Sequence, residues 1–270
     1  MIARTMYDRR QFVRHSLSAG VTLFVTGCGS DSGSKPDVNS KSGITTIPEM
    51  PASSVPAAPP TSTPSSSPNQ SAAPLSGLIV QAGDSIGYGT GAGDYAAIDH
   101  LGLGGNISIF NDSVPGRTMS SGYDNVGDLL ARHIASSASI FILQQGTNDL
   151  GAGRDAISLY RSIAMPFLAA MQQGGFYTVH NTILPRLDGG WSAEKERERA
   201  TYNALVRGNS AGADVVNDVA ADPIIGNSNP AWLSYYSDSL HPGLSGQQRL
   251  SSIIAAIVIP LLGRAPKSST

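Results

Sequence analysis

Three residues from two distant segments of the chain carry side chains that together could perform acyl transfer. Ser85 stands in "GDSIG" (83–87), and Asp238 and His241 stand in "DSLHP" (238–242). A serine hydroxyl becomes a nucleophile when an imidazole takes its proton and a third group orients that imidazole. The Asp-x-x-His spacing puts carboxylate and imidazole in one short loop. There Asp238 can hold the Nδ1 proton and leave Nε2 facing the serine. Pro242, directly after His241, restricts the backbone of that loop. The oxyanion needs donors as well. The backbone N–H groups of Ser85 and Gly116 and the side-chain amide of Asn148 could supply them, each worth about 2.7–4 kcal/mol of transition-state stabilisation. Each residue also has a plainer use: Ser85 and Gly116 in turns, Asn148 as a helix cap, Asp238 as a loop residue that leaves His241 to a backbone carbonyl.

These residues need a scaffold that brings their loops together. From about residue 75 to 263, apolar strand-like runs alternate with segments of helical period. The candidate strands are 78–82, 106–111, 139–145, 177–184 and 214–218. The candidate helices lie near 92–102, 122–137, 154–174, 193–210 and 244–259, the last being interrupted by Pro260. Such alternation predicts an α/β domain with a parallel sheet covered by helices on both faces. In an open parallel sheet ligands sit beyond the carboxyl ends of the strands. The segments "AGDSIGYG", "NDSVPGRT", "QQGTNDLG" and "NTILPRLDGG" all fall at such ends.

Four segments in order, "GDSI" at 83–86, Asn111-x-x-x-x-Gly116, "GTND" at 146–149 and Asp238-x-x-His241-Pro242, resemble the four blocks of the SGNH (GDSL-type) hydrolase family. Ile86 stands where that family usually has Leu. The resemblance spans about 160 residues and implies a flavodoxin-like three-layer α/β/α sandwich on a five-stranded parallel sheet. It also implies roles: Ser85 as nucleophile, Gly116 and Asn148 as oxyanion donors, His241 as base and Asp238 as its orienter. The expected activity is ester hydrolysis through an acyl-enzyme, on short-chain or carbohydrate O-acyl esters. Lysophospholipase or thioesterase chemistry is the alternative, as is a non-catalytic envelope-binding lipoprotein.

The first 74 residues lie outside that resemblance. "MIARTMYDRRQFVRHSLSAGVTLFVTGCGS" has a basic start, a short apolar stretch from Leu17 to Thr26 and small residues before Cys28. That layout reads as a secretory signal. Arg9-Arg10 resembles a twin-arginine export signal, with Asp8 where Ser or Thr is usual. Val25-Thr26-Gly27-Cys28 resembles a bacterial lipobox, in which Cys28 is lipidated. The expectation is an exported envelope or periplasmic protein held to a membrane by an N-terminal lipid. Residues 29–74 carry nine of the 17 prolines among Ser, Thr and Ala, a composition that reads as a disordered tether. The hydrolase domain is expected over 75–265.

A net charge of −2 leaves no basic footprint for nucleic acid. The single cysteine, Cys28, allows no internal disulfide. No His/Asp/Glu cluster has metal-ligand spacing, and no metal or cofactor is expected. "GYGTGAGD" (87–94) lacks the Lys-Ser/Thr ending of a phosphate loop. His100 and His133 read as surface or packing residues, and His180 as a candidate for a pocket wall. Tyr88, Trp232, Tyr235 and Tyr236 could line a cleft or pack in the core.

Overall fold

The computed structural model describes residues 74–93, 95–226 and 234–270. The leader, Cys28, residues 29–73 of the Pro-rich run and Trp232 lie outside them. The described residues all belong to one compact unit, 67–270.

Five strands form one parallel sheet: β1 (Ser76–Gly83), β2 (Asn106–Ser113), β3 (Ala138–Gln144), β4 (Tyr177–Asn181) and β5 (Val215–Asn217). Their order is β2-β1-β3-β4-β5, the flavodoxin-like arrangement. β1 pairs with β2 on one side and β3 on the other, so Gly83 ends its strand beside Ser113 and Gln144. The helices are α1 (Ser85–Tyr88), α2 (Met119–Tyr123), α3 (Val126–Leu130), α4 (Thr147–Gly151), α5 (Ala156–Leu159), α6 (Met165–Gln173), α7 (Ala193–Gly208) and α8 (Leu244–Leu262).

Side chains alternate across each strand. Ile79, Ile140, Ile142 and Val179 face one layer, where they meet Leu250, Ile254 and Val258 of α8. Leu78, Val80, Phe141 and Leu143 face the other, against Leu159, Phe167 and Met171 on one side of the chain and Tyr202 and Val206 of α7. A central strand buried on both faces reads as an unbroken apolar run, as Ile140–Leu143 does.

Several elements differ from the sequence-based expectation. No helix spans 92–102; only a 3₁₀ turn at Ala97–His100 forms, because Gly91 and Gly93 hold positive φ just before it. The segment expected at 122–137 is two short helices, α2 and α3. The one at 154–174 passes through a π turn, Tyr160–Ala164, between α5 and α6. Pro260 does not end α8, which runs on to Leu262. Ala256 and Pro260 are both exposed there, so water can take the carbonyl that the proline leaves without a donor. Ser192 caps α7 through the Lys195 N–H as its sequence position suggests.

Candidate active site

β1 delivers Ser85. The strand stops at Asp84, whose side chain caps α1 by accepting from the Ile86 N–H at 2.9 Å. That leaves Ser85 as the first residue of a one-turn helix, buried at the strand end. A Cβ on Gly83 would lie 2.1 Å from Ser113 Oγ, so a bare glycine lets the end of β2 close on the turn. Gln81 and Asn111 lock the same corner. Gln81 Nε2 donates to Ser113 Oγ at 3.1 Å and Asn111 Nδ2 to the Gly87 carbonyl at 3.1 Å.

The two outer oxyanion candidates sit on adjacent loops that are tied together. Gly116 lies exposed in the loop after β2 with φ +78°, and nothing stands within 4 Å of where its Cβ would be. That loop is held by an Arg117–Asp112 ion pair of 2.6 Å and by Asn125 Nδ2 donating to Asp112 at 3.1 Å. Asn148, in the first turn of α4, donates from Nδ2 to the Arg117 carbonyl at 3.0 Å. A primary amide has two N–H bonds, so one can hold the Gly116 loop while the other serves an oxyanion. Asp149 braces the same junction by accepting from the Met119 N–H at 2.8 Å.

The loop before α8 delivers the base. It closes on itself through Ser237 N–H to the His241 carbonyl and Gly243 N–H to the Tyr235 carbonyl, both 2.9 Å. Asp238 Oδ1 accepts from the N–H groups of Leu240 and His241 at 2.7 and 2.6 Å, and Oδ2 faces His241 Nδ1 at 2.7 Å. His241 Nε2 then lies 3.0 Å from Ser85 Oγ. Residues 85 and 241 are thus within hydrogen-bond reach across 156 positions of sequence. Burial pushes the Asp238 carboxyl up, but the bonds from the His241 ring and the two N–H groups outweigh it and hold the group below its ordinary value. A charged Asp238 fixes the proton on Nδ1 and leaves Nε2 as the acceptor for the serine hydroxyl.

Asp84 was not singled out by sequence, where Gly-Asp reads as turn chemistry. It is 2% exposed. Burial raises its pKa to about 7, with Asp149 adding to the rise and the Ile86 N–H and His241 opposing it. Gln247 was also missed. Its buried amide in α8 accepts from the Ala97 N–H at 3.1 Å and donates to the Ile86 carbonyl at 2.7 Å. The Asp84 bond to the Ile86 N–H is local and reads as an ordinary turn, whereas Gln247 has no local signal because only the fold brings Ala97 and Ile86 near it.

His180 does not line the pocket. It is a buried residue of β4, with Nε2 2.9 Å from Tyr202 Oη and its ring stacked on Tyr160. Burial lowers its pKa to about 3. His100 stacks on Tyr95, and His133 packs edge-on to Phe176. Tyr236 is a core residue whose hydroxyl donates to the Ile225 carbonyl at 2.8 Å, whereas Tyr88 is exposed beside Ser85. Among the described residues, no group of three or more His, Cys, Asp or Glu could hold a metal ion.

A cavity of about 20 Å³ lies behind the turn, lined by Asp84, Ile86, Gln145, Thr147 and Leu184 among others. It has room for a water molecule and none for an acyl chain. A wider groove of about 260 Å³ is lined by Pro185, Arg186, Leu187, Trp191 and Glu196. It borders the His241 loop, since the Leu187 N–H donates to the Ser239 carbonyl at 2.8 Å.

The chain is similar to a lipolytic protein of the G-D-S-L family from Veillonella parvula, with a TM-score of 0.56 at 16% identity over 68% of this chain and 99% of that one. The fold is that of a G-D-S-L lipolytic protein. The chain is likewise similar to the psychrotrophic esterase EstA from Pseudoalteromonas sp. (TM-score 0.52, 16% identity, 69% of this chain and 99% of that one). A variant of an acetyl-xylooligosaccharide esterase from Geobacillus is also similar (TM-score 0.50, 16% identity, 72% and 97%). No protein-family model and no curated protein sequence matches the chain.

Proposed function

We propose that this protein is an exported serine ester hydrolase that cleaves short-chain or carbohydrate O-acyl esters. The observation that carries the reading is the relay Asp238–His241–Ser85, with contacts of 2.7 and 3.0 Å. His241 Nε2 takes the Ser85 proton as Oγ attacks the ester carbonyl. The oxyanion that forms is met by the N–H groups of Ser85 and Gly116 and the Asn148 amide. His241 then returns the proton to the departing alcohol oxygen, leaving an acyl-enzyme. Water repeats the two steps, with Oγ now leaving and regaining its proton. Asp238 stays charged throughout and holds the imidazolium.

The open groove bordering the His241 loop supports a carbohydrate ester, since it offers Trp191 and two charged side chains, Arg186 and Glu196, to an alcohol moiety. The similarity to an acetyl-xylooligosaccharide esterase is consistent with that choice. The Val25–Cys28 lipobox and the Pro-rich run that follows would place the domain at a membrane surface, where acylated envelope polymers lie within reach.

The test is the rate of p-nitrophenyl acetate hydrolysis by wild type and Ser85→Ala. The variant should fall to the uncatalysed rate, and wild-type turnover by it would end the mechanism. A chain-length series from acetyl to palmitoyl should peak at four carbons or fewer. A peak at long chains would move the assignment to lysophospholipid or thioester substrates.

A further inference from the structure

The glycine-rich run 87–93, "GYGTGAG", follows the Ser85 turn and supplies no group to the chemistry above. It folds back on that turn: the Thr90 N–H donates to the Ser85 carbonyl and the Ala92 N–H to the Gly89 carbonyl, both at 3.0 Å. Gly91 and Gly93 share a left-handed backbone, with φ of +86° and +66°. What they face differs. A Cβ on Gly93 would meet nothing within 4 Å. A Cβ on Gly91 would lie 2.0 Å from Ser237 Oγ, 3.0 Å from Ser237 Cβ and 3.2 Å from His241 Cβ.

We propose that Gly91 is a positioning residue: its bare Cα is the seat on which the Ser237–His241 segment rests, and this seat sets the reach of His241 to Ser85. The inference rests on the hydrolase reading for its consequence and on the contact for its geometry. Asp238 governs which way the imidazole turns, because it grips Nδ1 and the backbone of its own loop. It does not fix that loop against Ser85. Gly91 does, because it is bonded back to Ser85 through its neighbour Thr90 and touches the His241 loop directly. Ser237 transmits the contact, since both its N–H and its hydroxyl donate to the His241 carbonyl, at 2.9 and 3.1 Å.

A methyl group at position 91 could turn the Ser237 hydroxyl aside, at the loss of that bond. The two Cβ contacts cannot rotate away, so the His241 loop must retreat by a few tenths of an ångström. Reactions between pre-aligned groups are steeply sensitive to such shifts, with about a hundredfold lost for a 1 Å misplacement.

The experiment compares Gly91→Ala with Gly93→Ala. Both put alanine at positive φ and so carry a similar backbone strain, but only the first meets the His241 loop. Gly91→Ala should lower kcat on p-nitrophenyl acetate roughly tenfold with KM within about twofold, and Gly93→Ala should keep kcat near wild type at a similar fall in melting temperature. In a crystal structure of Gly91→Ala the 3.0 Å Ser85–His241 contact should open beyond about 3.5 Å. Should Gly91→Ala not fold, the contact can be pressed from its other side. Ser237→Ala and Ser237→Val both lack the hydroxyl, and only valine fills the space beside Gly91, so its kcat should fall further. Equal kcat for the two glycine variants, or for the two Ser237 variants, would overturn the proposal. An inactive wild type would end the hydrolase reading instead, and the distance in Gly91→Ala would still decide where His241 is seated.

Discussion

Gln247 Nε2 donates to the carbonyl oxygen of Ile86 at 2.7 Å, joining the first turn of α8 to the residue that follows Ser85. The same side chain accepts from Ala97 N–H at 3.1 Å. Its position matters twice, because α8 begins at Leu244, three residues after His241. One buried amide therefore ties the helix behind the base to the turn that carries the nucleophile.

Replacing Gln247 by leucine strands a buried carbonyl and a buried N–H. The expected loss of stability is about 2–6 kcal/mol, at roughly 1–3 per unsatisfied group. Urea unfolding monitored by tryptophan fluorescence would measure it. A change under about 0.5 kcal/mol would mean that neither bond matters to the fold.

Asn148→Ala should lower kcat by about 10²–10³ while leaving KM within a few-fold, the signature of a donor used in the transition state. The lost Arg117 tie would also loosen the Gly116 loop. A rise in KM with kcat unchanged would instead make Asn148 a substrate-binding residue.

Asp238→Asn keeps an oxygen for the Leu240 and His241 N–H groups but replaces Oδ2 by a donor. The imidazole must then carry its proton on the wrong nitrogen. A fall in kcat/KM of about 10²–10⁴ is expected, without loss of fold by circular dichroism. Activity within threefold of wild type would show that another group orients His241.

Asp84 gives the fold a pH signature. Its pKa is raised from 3.8 to about 7, so between these values the native state holds a proton that the unfolded chain has released. Stability from this group is full below pH 4 and is lost as pH rises through 7. Asp84→Asn removes that slope. Relative to wild type, the variant should gain a few kcal/mol between pH 4 and 8, on the scale of about 1.4 kcal/mol per pKa unit. Buried His180 works in the opposite sense. Its pKa falls from 6.5 to about 3, so its stability is present above pH 6.5 and lost as pH falls toward 3. Parallel melting curves for wild type and Asp84→Asn over pH 4–8 would reveal the slope or its absence.

Much of this arrangement was legible in sequence, for physical reasons. β3 could be read because a strand buried on both faces admits only apolar residues at Ile140–Leu143. Ser85, Gly116, Asn148, Asp238 and His241 could be singled out because strand ends in a parallel sheet are where polar chemistry collects. Asp149 and Gln247 could not. Each is a polar residue whose partner lies far along the chain, as with Gln247 and Ile86, 161 positions apart. The helix expected at 92–102 does not form, because Gly91 and Gly93 at positive φ break the chain into turns where the sequence has a helical period. Tyr236, a candidate for the cleft, went to the core because Ile225 offered its hydroxyl a carbonyl.

The most direct test of the account is reaction with a fluorophosphonate, which couples only to an activated serine, followed by intact-mass and peptide analysis. The account predicts one adduct per chain, on Ser85, absent from Ser85→Ala and slowed by orders of magnitude in His241→Ala. A wild-type chain that takes no label, or takes it equally in Ser85→Ala, would contradict it.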